Sequence, residues 1–241
     1  MKSNLSVVLI LVAINVIIFF ISQSSAAIND ALSLYFPLNP NFRPWQFVSH
    51  MFMHANLTHL LFNMFALWMF GTHLEKIWGG KRFLLFYFAC GIGAAAIYTL
   101  VNTVEFNQVY ALLRNSGLSD ADILSMMERG VYPPNVLSED QARALIGTFN
   151  TPMVGASGAI YGILVAFAFM FPNEKLMLIF LPYPVAAKYC VPALIALDLF
   201  SGVTGFSLFG GGIAHFAHVG GAIIGFLLML YWRRKLSRIS Y

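Results

Sequence analysis

Apolar runs broken by short polar stretches set the frame of this sequence. Six runs approach the length of a membrane span, at about 5–21, 50–71, 83–104, 153–171, 187–199 and 213–232. A turn at 73–82 joins the second run to the third. Pro172-Asn173 stops the fourth, Pro182 and Pro184 interrupt the chain before the fifth, and a glycine-rich turn at 202–212 leads into the sixth. The segment 105–151 is too polar to span and predicts two short helices. Ser119 with Asp122 opens the first, which ends at Gly130; Ser138 with Gln141 opens the second, which ends at Gly147. Each pair has capping-box spacing, in which side chains at a helix start satisfy orphan backbone donors. Pro133-Pro134 separates the two. The loop at 34–47, with Tyr35, Phe42 and Trp45 among its prolines, suits the headgroup level of a bilayer. The expected fold is an all-α polytopic membrane bundle of six helices, one domain over 1–241, with an extramembrane helical insertion at 105–151.

Composition supports the membrane reading. Of 241 residues, 59% are hydrophobic and 10% charged, and the mean hydropathy is +0.74. So few charges cannot solvate a globule of this size, which makes the lipid bilayer the first partner. Nucleic acid is not expected as a partner, because no basic stripe interleaves with aromatics. Cys90 and Cys190 fall in apolar stretches, which argues against a disulfide framework or a CxxC site. The first run, followed by Ser25-Ala26-Ala27, has features of a signal peptide, but its length favours a retained span. Lys2, three basic residues in the 73–82 turn, Lys175 and four after Trp232 make nine on one side. Arg43, Arg114, Arg129 and Arg143 make four on the other. The positive-inside rule then places both termini in the cytoplasm and the insertion outside.

The octet Gly155-Ala156-Ser157-Gly158-Ala159-Ile160-Tyr161-Gly162 opens the fourth run. A serine between glycines at a span mouth is a packing motif or a nucleophile, and Gly158 with Gly162 has the small-xxx-small spacing of close-packed membrane helices. Two further polar clusters, His50 to Asn63 and His215 to His218, lie in other spans. Polar groups in three spans of one small membrane protein most simply share a site. With the derived orientation, Ser157 lies about 6 Å and His218 about 8 Å below the outer boundary, and His59 and Asn63 about 13–20 Å along their helix. Ser157 and Tyr161 are i, i+4 on one face, as are His59 and Asn63, while His218 shares a stripe with Gly221 and Gly225. A histidine able to take a serine's proton makes that serine a nucleophile. Asn63, His59 and the Ser157 backbone N–H can donate to a developing oxyanion. No carboxylate stands in the matching stripes. A Ser–His dyad is therefore expected, its imidazole held by packing on Tyr161, with Asp198 an interfacial residue near the outer end of the fifth span, although an intramembrane acid is a functional candidate by default.

These pieces resemble the rhomboid intramembrane serine proteases. Gly155-Ala156-Ser157-Gly158 in the fourth span, His54 through His59 to Asn63 in the second, and Ala217-His218-Val219-Gly220-Gly221 followed by Gly225 in the sixth match the family's motifs in their order. The resemblance implies a six-span, rhomboid-like bundle of bacterial type in a cytoplasmic (inner) membrane, its first span retained. It implies Ser157 as nucleophile, His218 as base, His59 and Asn63 as oxyanion donors and Tyr161 stacked on His218. Gly155, Gly158, His54, Gly221 and Gly225 would support them. The implied substrates are transmembrane segments of single-span proteins, cut without a cofactor. Two departures stand out: where the family often has Trp-Arg in its first outer loop, Trp45 is followed by Gln46, and the 105–151 insertion is longer than a minimal core needs.

Other readings fit less well. His50 with His54, or His215 with His218, could bind a metal at i, i+4 or i, i+3. There is neither a His-Glu-x-x-His nor an acid cluster, so no metal is expected. His215 lacks a glycine at i+3 and reads as an accessory histidine at the water-facing rim. A transporter would want ionisable groups at the midplane and an internal repeat. An inactive binder of membrane proteins would not need both Ser157 and His218.

Overall fold

The computed structural model describes residues 6–178, 181–206 and 214–239. Lys2 and most of the predicted glycine-rich turn, with the start of the sixth run, lie outside the described residues. In chain order the helices are α1 (Val7–Gln23), α2 (Ala26–Leu32), α3 (Gln46–Ser49), α4 (Leu57–Trp78) and α5 (Gly80–Asn115). After these come α6 (Asp120–Arg129), α7 (Glu139–Asn150), α8 (Ser157–Met170), α9 (Ala187–Thr204) and α10 (His215–Ile239). α5, α9 and α10 are long and apolar enough to cross a membrane, and α1 and α8 are shorter apolar helices. α4 interrupts its apolar sequence with His59, Asn63, Thr72 and His73. Leu61, Phe65, Leu85, Leu100, Phe200 and Leu227 stand exposed on the outside of the bundle, as lipid-facing residues of a membrane protein would.

α8 is the central helix. Nine of its 14 residues are buried, and it packs against α4, α5, α9 and α10. Lipid tails offer no hydrophobic gain for helix association, so close backbone approach must do the work, and small residues provide it. A Cβ on Gly221 would overlap the Gly158 carbonyl, and one on Gly225 would overlap the backbone of Gly162. On the opposite side, a Cβ on Gly158 would run into Ala94 and one on Gly162 into Cys90, both on α5. The packing reading of the octet is therefore correct in its own right. Gly221→Ala forces backbone against backbone, with no flexible side chain to yield. We expect it to cost about 1–3 kcal/mol or more, read as a lower Tm in detergent. An unchanged Tm would contradict this packing.

Two polar anchors fix the outer elements. Glu75, in the last turn of α4, accepts from the backbone N–H groups of Val7 (2.6 Å) and Val8 (3.1 Å) and from the Ser6 hydroxyl (2.5 Å). A carboxylate there satisfies orphan donors and the positive end of α1 together. Gln46, buried at 0% exposure, organises the first loop. Its Oε1 accepts from the N–H groups of Tyr35 and Arg43, and its Nε2 donates to the carbonyls of Asp30 and Asn41. The residue that departs from the family's Trp-Arg pair thus anchors the loop with four bonds of its own. Trp45 is half exposed, as an interfacial residue should be, whereas Tyr35 is buried and bonds Asp30 at 2.6 Å.

Several expected boundaries shift. α4 begins at Leu57 behind the Asn56 cap, so His50 and His54 precede the helix and are not an i, i+4 helical pair. The 73–82 turn shrinks to Gly79, because α4 runs on to Trp78 and α5 starts at Gly80. α5 continues to Asn115, turning the first part of the insertion into helix. α6 and α7 begin at the expected capping boxes, and α6 ends at Gly130 with φ +66°, but α7 runs through Gly147 to Asn150. The insertion has a core of its own, in which Ile123, Met127, Leu137, Leu145 and Phe149 close on Phe106 and Leu113 of α5 and on Phe36. A small antiparallel hairpin, β1 (Lys175–Leu178) with β2 (Leu181–Ala186), occupies the proline-broken connection before α9. It was not expected, since the prolines read only as breaks. α8 starts at Ser157, not Met153; the preceding residues are held by a bridge between Leu34 and Met153.

Candidate active site

Three helix starts meet on one side of the bundle. Ser157 is the first residue of α8, and His218 and His59 lie in the first turns of α10 and α4. Helix starts carry unpaired N–H groups and a positive dipole end, so they favour developing negative charge. His218 Nε2 lies 2.9 Å from Ser157 Oγ, which is hydrogen-bond distance. Tyr161, one turn below Ser157, stacks on the His218 ring with centroids 4.3 Å apart and planes at 10°.

The other ring nitrogen has a partner that the sequence reading missed. His218 Nδ1 lies 3.1 Å from Asp198 Oδ1, and His215 Nδ1 lies 2.6 Å from the same oxygen. The Tyr161 hydroxyl donates to Asp198 Oδ2. The expectation of an imidazole held by packing alone, with Asp198 at the interface, is therefore corrected. Ending the fifth span at Leu199 had left Asp198 on its edge, but α9 continues to Thr204, which sets Asp198 about 9 Å inside the helix end. As an acid inside an apolar run Asp198 was a functional candidate by default, but nothing in the sequence paired it with His218. His215 is also not a rim residue: its side chain is 13% exposed and turned to the carboxylate.

On the far side of Ser157, Asn56 Oδ1 accepts from the His59 N–H at 2.8 Å and fixes the start of α4. Gly155 has φ +119°, a conformation that suits glycine, and a Cβ there would meet His59 Cε1 and Nε2 at 2.8 Å. The same point lies 3.7 Å from Ser157 Oγ, so the Nε2 edge of His59 and the serine flank one glycine. The Gly155 N–H donates to the His50 carbonyl at 2.9 Å, tying this turn to the first loop. Asn63 is buried, and its Nδ2 donates to the His59 carbonyl at 2.8 Å, leaving a second N–H on the amide. His54, also buried, packs edge-on against His59 with centroids 5.1 Å apart.

Asp198, His215 and His218 offer ligand atoms within 4.8 Å of one another, near enough to hold a metal ion. The separations from both imidazole Nδ1 atoms to one carboxylate oxygen, 2.6 and 3.1 Å, are equally those of hydrogen bonds. Cys90 and Cys190 are free and buried.

A family model described as Rhomboid domain matches residues 41–235, a span that contains every helix start at the site. The chain belongs to the rhomboid family. This rhomboid is 29% identical to rhomboid protease AarA of Providencia stuartii, over 77% of its own length and 55% of that protein's. It is 28% identical to the mitochondrial rhomboid protein 1 of Saccharomyces cerevisiae, over 78% of its length and 41% of that protein's. To the human mitochondrial presenilin-associated rhomboid-like protein it is 25% identical over 92% of its length and 47% of the relative's. The chain thus spans about half the length of these relatives. The family is a helical polytopic membrane fold, in agreement with the apolar helices seen here.

Proposed function

We propose that this rhomboid is an intramembrane serine endopeptidase that cuts transmembrane segments of single-span membrane proteins, with Ser157 as nucleophile and His218 as general base. The observation that carries the reading is the 2.9 Å pairing of Ser157 Oγ with His218 Nε2 inside an apolar bundle. The name of AarA, a rhomboid protease, supports it. The Ser157 hydroxyl gives its proton to Nε2 as Oγ attacks the scissile carbonyl, and Nε2 returns that proton to the leaving amine. Water then hydrolyses the acyl-enzyme with the same histidine as base. The Ser157 backbone N–H, His59 Nε2–H and Asn63 Nδ2–H are the proposed oxyanion donors. His54, Gly155, Gly158, Gly221, Gly225 and Tyr161 hold these groups in place.

The whole chain, insertion included, is proposed to act as one unit. The basic-residue count supports a site on the face opposite the cytoplasmic termini, so water would enter from outside. AarA comes from a bacterium and two of the relatives carry mitochondrial names, so this orientation is proposed for whichever bilayer holds the chain.

The test is to incubate the purified protein in liposomes with a fluorophosphonate probe and with single-span substrates, with and without a chelator. Labelling and cleavage are both expected, and the chelator should change neither. Protein that neither takes the probe nor cuts any substrate refutes the protease reading; activity that EDTA abolishes refutes its metal-free chemistry.

A further inference from the structure

We infer that Asp198 is a positioning residue that selects and steadies the catalytic form of His218, an inference that rests on the protease reading of Ser157 and His218. A neutral imidazole carries one N–H, and the serine needs a lone pair on Nε2. Stacking on Tyr161 holds the plane of the ring but is indifferent to which nitrogen bears the proton. A carboxylate at Nδ1 is not indifferent: it accepts only from Nδ1–H, and so leaves Nε2 free for Ser157. Asp198 Oδ1 stands 3.1 Å from that nitrogen. As the serine's proton arrives at Nε2, the ring becomes a cation in surroundings that solvate it poorly. The carboxylate then faces it across a single hydrogen bond.

Asp198 is itself equipped for this role. It is 7% exposed, and a buried carboxylate is tolerable only when hydrogen-bonded. Three donors meet it: the Tyr161 hydroxyl from α8, and His215 and His218 from α10. An ionised carboxylate is acceptor-only, so it can take a proton from each of these three groups at once. The same bonds fix Tyr161, whose ring is the platform under His218. Asp198 thus acts on the base directly through Nδ1 and indirectly through the stacking partner, and it ties α9 to both helices of the reacting pair.

The experiment combines kinetics with a direct reading of the ring. In liposomes with a single-span substrate, Asp198→Asn should lower kcat about 10²–10⁴-fold with KM unchanged, because the amide can turn its NH₂ toward Nδ1 and favour the wrong tautomer. Asp198→Glu should recover at least part of that loss. In ¹⁵N-histidine spectra of the wild-type protein, His218 should be protonated at Nδ1, and in Asp198→Asn the Nε2–H form should grow. A wild-type His218 protonated at Nε2 overturns the inference even if no variant folds. So does Asp198→Asn with wild-type kcat, or a loss of kcat that matches a loss of folded protein while the tautomer stays unchanged. Because the ring spectrum needs no turnover, its failure differs from failure of the protease reading, which would appear as cleavage surviving Ser157→Ala.

Discussion

Ser157→Ala is expected to reduce cleavage of a single-span substrate to background and to abolish fluorophosphonate labelling. Removing the nucleophile of a serine protease costs on the order of 10⁶ in kcat, and what remains is binding and oxyanion stabilisation. Among the described residues no other serine can replace it. Ser22 and Ser49 donate to the carbonyls of Phe19 and Leu32, and Ser119 and Ser138 are spent on helix caps. Among the described residues only Ser157 Oγ sits within hydrogen-bond distance of an imidazole. The substitution deletes one partly buried oxygen at a helix start that no side chain caps, so Tm should change little. Cleavage that persists in a folded Ser157→Ala protein would remove both nucleophile and mechanism.

Most of this site could be read in the sequence because membrane helices restrict where polar groups go. Ser157, His218, His59 and Asn63 interrupt apolar runs, and such interruptions are costly unless the groups meet. The spacing of Ser157 with Tyr161, and of Gly221 and Gly225 with His218, then put them on matching faces, and the structure brings these faces together. The long helices were equally legible, down to both capping boxes of the insertion, although the short α2 and α3 were not expected. The ends of elements were not. A hydropathy pattern reports where a segment stops being apolar, whereas a helix continues as long as its backbone bonds and caps allow. Hence α5 passes its apolar run by a polar stretch that its own insertion core stabilises, and α9 passes Leu199. That second error had a chemical consequence. It hid Asp198, whose significance depends on being two turns inside the helix and on facing three donors that belong to other elements. The hairpin before α9 was hidden for a different reason: its pairing is between backbones, and prolines in the pattern mask it.

His218→Ala should be as inactive as Ser157→Ala, while His215→Ala keeps substantial activity. Both histidines are on the same helix and both touch Asp198, so the contrast tests the geometry and not mere proximity. His218 alone bridges the carboxylate and the serine, with Nδ1 on Asp198 and Nε2 on Ser157. The His215 ring lies edge-on to His218 with centroids 6.4 Å apart and contacts the carboxylate through Nδ1. Its loss takes one of three hydrogen-bond partners from Asp198 and leaves the proton path intact, a cost of about fivefold if one hydrogen bond is worth about 1 kcal/mol. Loss of His218 removes the only described acceptor for the serine proton. Residues that act as one unit are strongly non-additive, so Ser157→Ala combined with His218→Ala should be no worse than either alone. The measurement is the rate of substrate cleavage in liposomes, normalised to folded protein. If His215→Ala is dead while His218→Ala still cuts, the base has been misassigned, and the proton must travel from Ser157 by a path other than the 2.9 Å contact.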